Sequence, residues 1–178
     1  MSICIYFFIK EPTFLKQRFY FYLFSYNSNP MTKLAITSVY ANPIHPGHID
    51  SFELSKSVAG ADELWVIVNN DHQARLKRGV DSFQDETYRC RVVSAIRAVD
   101  RVFLSIDQDR TVCESLRALI LEANASGKYS EIIFTKGGDR FAGEIPESVV
   151  CNEFGVKIVD GLGEKTHNSS DYAIKKQS

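Results

Sequence analysis

Leu34-Ala35-Ile36-Thr37-Ser38-Val39-Tyr40, followed at once by Ala41-Asn42-Pro43-Ile44-His45-Pro46-Gly47-His48, holds both the fold and the chemistry of this chain in fifteen residues. The first run is apolar and β-branched without alternation, which suits a parallel strand buried on both faces. A proline- and glycine-containing turn follows. The next segment predicts a helix from about His48 to Val58, carrying Phe52, Leu54 and Val58 and closed by Gly60. Leu64-Trp65-Val66-Ile67-Val68 reads as the next strand. Together they form a strand–helix–strand unit of about 35 residues, long enough for the crossover that parallel strands require.

The same rhythm continues outward. Asn69 to Ser82 reads as a polar loop, leading into a helix whose apolar residues Val92, Val93, Ile96 and Val99 have helical spacing; Val102-Phe103-Leu104 is then a strand. Thr111 and Glu114 have the spacing of a capping box for a helix bearing Val112, Leu116, Leu119, Ile120 and Ala123. Strand Ile132-Ile133-Phe134 follows, then a short helix from Pro146 to Glu153 ending at Gly155. Strand Val156-Lys157-Ile158-Val159 comes next, and a last helix starts near Ser169 and Ser170. Five strands alternating with helices predict an α/β fold with a doubly wound, mainly five-stranded parallel sheet. In such sheets ligands bind beyond the carboxyl ends of the strands, so the loops after the strands are where function is sought.

Composition narrows the classes. The chain has 178 residues and a formal net charge of -1, so no basic excess exists to neutralise a nucleic-acid backbone, and no nucleic-acid partner is expected. Its four cysteines, Cys4, Cys90, Cys113 and Cys151, form no CxxC pair; they read as reduced thiols of a cytoplasmic protein, with no protein-bound metal site. The first thirty residues differ from the rest, because ten of the 21 aromatic residues fall between Tyr6 and Tyr26. Lys10, Glu11, Lys16 and Arg18 interrupt any membrane span there, and the segment lacks a basic start and a cleavage site of a secretory signal. Residues 1–30 are therefore expected to be a non-native or disordered leader, with the domain over residues 31–178.

Four loops carry candidate chemistry. His45 and His48 lie three residues apart at a helix start, where side chains share a face and where free N–H groups and the helix dipole attract phosphate. Gly47 between them permits close approach of a ligand to the backbone. A structural capping pair is the alternative, as is a zinc pair, although no third ligand is visible. After the second strand, Asn69-Asn70-Asp71 leads to Arg75, Lys77 and Arg78, either a polyphosphate-binding cluster or a solvated basic loop. After the fourth strand, Lys136-Gly137-Gly138-Asp139-Arg140 is either a plain turn or a backbone surface for a nucleobase. Gly161-Leu162-Gly163-Glu164-Lys165, leading to Asn168-Ser169-Ser170, is a phosphate-gripping helix start or an ordinary N-cap. No GK[ST] of a P-loop exists, and the Gly161/Gly163 pair lacks the third glycine of a dinucleotide fingerprint.

In this order the motifs resemble the cytidylyltransferase-like nucleotidyltransferase superfamily, which includes glycerol-3-phosphate cytidylyltransferases and heptose-phosphate adenylyltransferases. The resemblance covers residues 33–176. It rests on His45-Pro46-Gly47-His48, on Asn70, Asp71 and Lys77, on Arg89 ahead of Val99-Asp100, on Gly138-Asp139, and on Asn168-Ser169-Ser170. It implies a Rossmann-like fold and in-line attack of an acceptor phosphate oxygen on the α-phosphorus of a nucleoside triphosphate, with release of pyrophosphate and no covalent intermediate. His45 and His48 would stabilise the transition state and the leaving group, and Lys77 and Arg89 would hold phosphate oxygens. Gly137, Gly138 and Asp139 would line the base pocket, while Lys165, Ser169 and Ser170 would grip the outer phosphates. Mg²⁺ would arrive with the triphosphate. Where members carry glycine and then Phe-Asp, this chain has Val39-Tyr40-Ala41-Asn42, so Tyr40, Ala41 and Asn42 would face the nucleotide with an amide at the acidic position. The expected activity joins CTP to a small phosphorylated alcohol or sugar; the alternatives are an ATP-using adenylyltransferase on a sugar phosphate and an inactive nucleotide-binding module. A homodimer is common among relatives.

Overall fold

The computed structural model describes residues 32–137 and 145–162. Five strands, β1 (Thr32–Val39), β2 (Glu63–Val68), β3 (Arg101–Leu104), β4 (Tyr129–Gly137) and β5 (Lys157–Leu162), form one sheet in the order β3-β2-β1-β4-β5. Every pairing is parallel. The helices are α1 (Pro46–Ala59), α2 (Asp71–Arg78), α3 (Glu86–Ser94), α4 (Cys113–Ser126) and α5 (Ser148–Phe154). The expected α/β doubly wound sheet is what the chain forms.

Side-chain alternation along the central strands divides the core in two. Leu34 and Ile36 of β1, Ile67 of β2 and Phe134 of β4 face α4 and α5, meeting Leu116, Leu119, Ile120 and Val150. Ala35, Val39, Leu64, Val66 and Ile133 face the other way, onto Phe52 and Ala59 of α1 and Val93 of α3. The two faces explain the continuous apolar reading of these strands, since neither side is wet. Chain order reverses between β1 and β4, so the topological switch lies at their carboxyl ends.

Several local expectations change. The stretch read as a polar loop after β2 contains α2, an eight-residue helix. Its N-cap Asn70 accepts from the Gln73 N–H (2.8 Å) while Gln73 Oε1 accepts from the Asn70 N–H (3.1 Å), a reciprocal capping box. Gly79, at φ 74°, closes it in the left-handed region. Ile96 and Val99 lie beyond α3, which stops at Ser94. The Thr111–Glu114 box does not form: Thr111 Oγ1 turns to Asp109, and Asp107 reaches in to cap α4, accepting from the Glu114 and Ser115 N–H groups (2.8 and 3.0 Å). A carboxylate wins that position because it complements the positive helix end better than a hydroxyl does. The leader and the last expected helix lie outside the described residues.

Candidate active site

The loop joining β1 to α1 sits at the switch point. Ala41 adopts φ 50°, a strained value for a residue with a Cβ, and the Asn42–Pro43 bond is cis. Two arginines hold this loop from outside. Arg78, in the last turn of α2, donates from Nη2 to the Asn42 carbonyl (2.7 Å). Arg89 of α3, fully buried, donates to the carbonyls of Tyr40 and Asn69 (2.7 Å each) and Gln84 (3.1 Å) and to Asp71 Oδ1 (2.7 Å). Burial works against ionisation of the Asp71 carboxyl, but the Arg89 and Glu86 hydrogen bonds hold it below the usual carboxylate range. Arg89 thus ties the carboxyl ends of β1 and β2 together. Expected to grip phosphate, Arg89 gives four of its N–H groups to protein acceptors.

His45 is the N-cap of α1 and His48 lies in its first turn, because the helix begins at Pro46, two residues before the expected start at His48. Their rings stack, with centroids 3.7 Å apart and planes 25° from parallel. The His45 N–H donates to Nδ1 of His48 (3.3 Å), which places the proton of neutral His48 on Nε2. Burial, then His45 and Lys77, push the His48 imidazolium pKa down to about 3. His48 is therefore neutral near pH 7 and offers an N–H donor beside the exposed helix start, where an anion is favoured. Lys77 extends from the last turn of α2 to lie 3.9 Å above the Tyr40 ring, so its charge is held next to the imidazoles. Gly47 completes the first turn.

Asn42 is 1% exposed, yet neither its Oδ1 nor its Nδ2 has a hydrogen-bond partner among the described residues. A buried carboxamide left in that state is destabilising by roughly 1–3 kcal/mol, which ligand contact would offset.

α1 runs back along β4 through small residues. Ser55 Oγ meets Thr135 Oγ1 (3.0 Å), and one turn earlier Ser51 abuts Gly137. His48, a further turn toward the helix start, is thereby carried past the carboxyl end of the sheet. Tyr40, Ala41, Asn42, His45, Gly47, His48, Lys77 and Gly137 follow or end strands at the carboxyl end of the sheet; Gly138, Asp139, Lys165, Ser169 and Ser170 lie outside the described residues. Lys136 was not singled out from sequence, although a cation at a strand's carboxyl end was the available signal. Its Nζ donates to Ser38 Oγ (2.9 Å) and lies 3.5 Å from Glu147 Oε1. No group of three or more His, Cys, Asp or Glu among the described residues could hold a metal ion, and no helix among them is long and apolar enough to cross a membrane.

Comparison with known proteins agrees with this geometry. Residues 40–157 match the family described as Cytidylyltransferase-like. The chain is 31% identical over 129 residues to the bifunctional protein HldE of Azorhizobium caulinodans, covering 71% of this chain and 24% of that protein. It is 37% identical over 92 residues to the FAD synthase of Thermoplasma acidophilum, covering 51% of this chain and 62% of the relative. The chain thus spans about a quarter of the length of the HldE relative. Among solved structures, the lipopolysaccharide core biosynthesis protein of Thermoplasma volcanium is similar, with 27% identity, a TM-score of 0.49, and coverage of 73% of this chain and 95% of that one. With its parallel sheet, its histidine-bearing helix start and the matched residues 40–157, the chain belongs to the cytidylyltransferase-like family of nucleotidyltransferases.

Proposed function

We propose that this chain transfers a nucleotidyl group from a nucleoside triphosphate to a small phosphorylated acceptor. An acceptor phosphate oxygen attacks the α-phosphorus in line, the bond to the β-phosphate oxygen breaks, and pyrophosphate leaves. The observation that carries this reading is the stacked imidazole pair at the start of α1, beyond the carboxyl ends of β1 and β4. Little covalent chemistry is asked of the protein in such a reaction; positioning and neutralisation of charge on phosphoryl oxygens suffice. Neutral donors from His48 and the helix start, with the ammonium of Lys77 beside them, suit the leaving pyrophosphate. Mg²⁺ would arrive with the triphosphate and keep several of its waters.

ATP is the nucleotide we favour over CTP, because the flavin adenine dinucleotide named in the FAD synthase relatives contains an adenylyl group. The decisive assay measures pyrophosphate release with ATP and with CTP across phosphorylated alcohols, sugar phosphates and flavin mononucleotide. Release with ATP and one acceptor is expected. Release with CTP alone overturns the base assignment, and tight binding without turnover for any pair overturns catalysis. His48→Ala should lower kcat by at least about a hundredfold, as loss of a preorganised donor does; a change within about threefold excludes a transition-state role.

A further inference from the structure

We propose that Tyr40 is a positioning residue of this site, its ring being the seat that holds the Lys77 ammonium beside the imidazoles for a phosphoryl oxygen. The inference deepens the nucleotidyl-transfer reading and rests on it. Tyr40 is the first residue beyond β1 and was expected to face the nucleotide; a face of its ring meets Lys77, with Nζ 3.9 Å from the centroid. Lys77 and Arg78, consecutive in the last turn of α2, reach the same stretch of backbone and side chain. Arg78 Nη2 donates to the Asn42 carbonyl (2.7 Å) while Lys77 covers the Tyr40 ring. The seat is itself fixed, because the Tyr40 carbonyl accepts from Nη1 of the fully buried Arg89 (2.7 Å). The Lys77 charge is felt at His48, whose imidazolium pKa is held down to about 3 by burial, by His45 and by Lys77, in that order. Ring, ammonium and imidazole thus share one neighbourhood, where the loop after β1 leads into the histidines.

A neutral seat suits a phosphate-binding cation. Arg75, also in the last turn of α2, donates from Nε to Asp81 Oδ1 (2.6 Å), so a carboxylate balances its charge. An aromatic face attracts an ammonium through its quadrupole and cancels none of the charge. The field that Lys77 presents to an anion therefore survives this contact. A lysine side chain is among the costliest to order, and a seat that orders it in advance removes part of that cost from ligand binding. In a reaction that runs on positioning and charge neutralisation, residue 40 then governs a phosphate contact without touching phosphate.

The test titrates pyrophosphate and ATP calorimetrically into the full chain and into a double-mutant cycle of Tyr40→Leu and Lys77→Met. Tyr40→Leu should weaken both probes about three- to tenfold, the size of one cation–π contact at a partly exposed site. Tyr40→Phe, which restores the ring without the hydroxyl, should recover most of that loss. In the Lys77→Met background the Tyr40→Leu penalty should vanish, because the ring then has no cation to hold. A penalty undiminished beside Lys77→Met means that Tyr40 serves the ligand or the fold directly, and overturns the proposal. Parental affinity in Tyr40→Leu, or no recovery in Tyr40→Phe, overturns it as well. Should Tyr40→Leu fail to fold, or Lys77→Met bind too weakly to titrate, Tyr40→Phe is compared with pentafluorophenylalanine placed at position 40. The two rings have nearly the same shape and opposite quadrupoles; weaker binding by the fluorinated chain upholds the seat, and equal binding overturns it. A parent that binds neither probe removes the nucleotidyl-transfer reading itself, and the proposal falls with it.

Discussion

Gly137 at the end of β4 and Ser51 in the second turn of α1 stand so close that a Cβ on the glycine would lie 2.6 Å from the Ser51 hydroxyl oxygen and 3.5 Å from the Ser51 Cβ. Only the hydroxyl is in the way. The bare glycine leaves room for this hydroxyl one turn of α1 below His48.

Gly137→Ala should therefore overpack this junction and lower stability by about 1–3 kcal/mol. Adding Ser51→Ala should restore most of the loss, since the two remaining neighbours, the Ser51 Cβ and the Leu162 carbonyl oxygen, are at ordinary contact distance. Thermal denaturation of the parent, both single variants and the double variant gives the coupling directly. Strictly additive changes would show that the two residues do not press on each other.

Arg89→Met should destabilise the fold by about 3–5 kcal/mol, because it strands Asp71 and three carbonyls that the guanidinium serves. Arg89→Lys should recover little, as one ammonium cannot reach four acceptors in a planar fork. Urea midpoints measure both. A parental midpoint for Arg89→Met would return this arginine to the role of a mobile ligand cation.

His48 links stability to pH. In the unfolded chain it protonates near pH 6.5, whereas in the folded state protonation is suppressed until about pH 3. The folded state consequently binds fewer protons across that interval; stability is fully present above about pH 6.5 and declines as pH falls toward 3. His48→Asn keeps an acceptor for the His45 N–H but does not titrate. Between pH 6.5 and 5, where most carboxylates stay ionised, its melting temperature should fall less than the parent's. Equal slopes would remove His48 from the acid response.

Asn42→Leu should raise stability by about 1 kcal/mol while abolishing ATP binding, because it replaces two buried polar atoms without a partner among the described residues by an apolar side chain of similar shape. Urea denaturation and titration calorimetry report the two effects separately. A less stable variant that still binds ATP would mean that the carboxamide serves the fold.

The central strands and the histidine pair were legible because each is specified by neighbours in sequence: a β-branched run, a turn, a helix start. α2 was missed for a related reason. Periodicity detects helices by their apolar stripe, and α2 buries only Gln73 and Ala74, so its readable signs were terminal ones: the Asn70–Gln73 spacing, the basic last turn and Gly79. The role of Arg89 could not be read locally, because two of its acceptors, Tyr40 and Asn69, lie 49 and 20 residues away. Lys136 and Ser38 are 98 residues apart, and only strand order brings them together. A local reading identifies chemical groups; assigning them to ligand or to scaffold requires the long-range contacts that use up their hydrogen-bonding capacity.

The pinning of the Tyr40–Asn42 loop by Arg78 and Arg89 also sets a timetable for a chain emerging from the ribosome. Once β1 and α1 are outside, both imidazoles are present, but nothing yet braces the backbone between them and the strand. The braces arrive with residues 78 and 89, and the second wall only when β4 slots in beside β1, roughly a hundred residues later in synthesis, since such non-local pairing is slow to close. Nucleotide capture by a nascent chain should accordingly switch on late and abruptly, after β4 has cleared the exit tunnel.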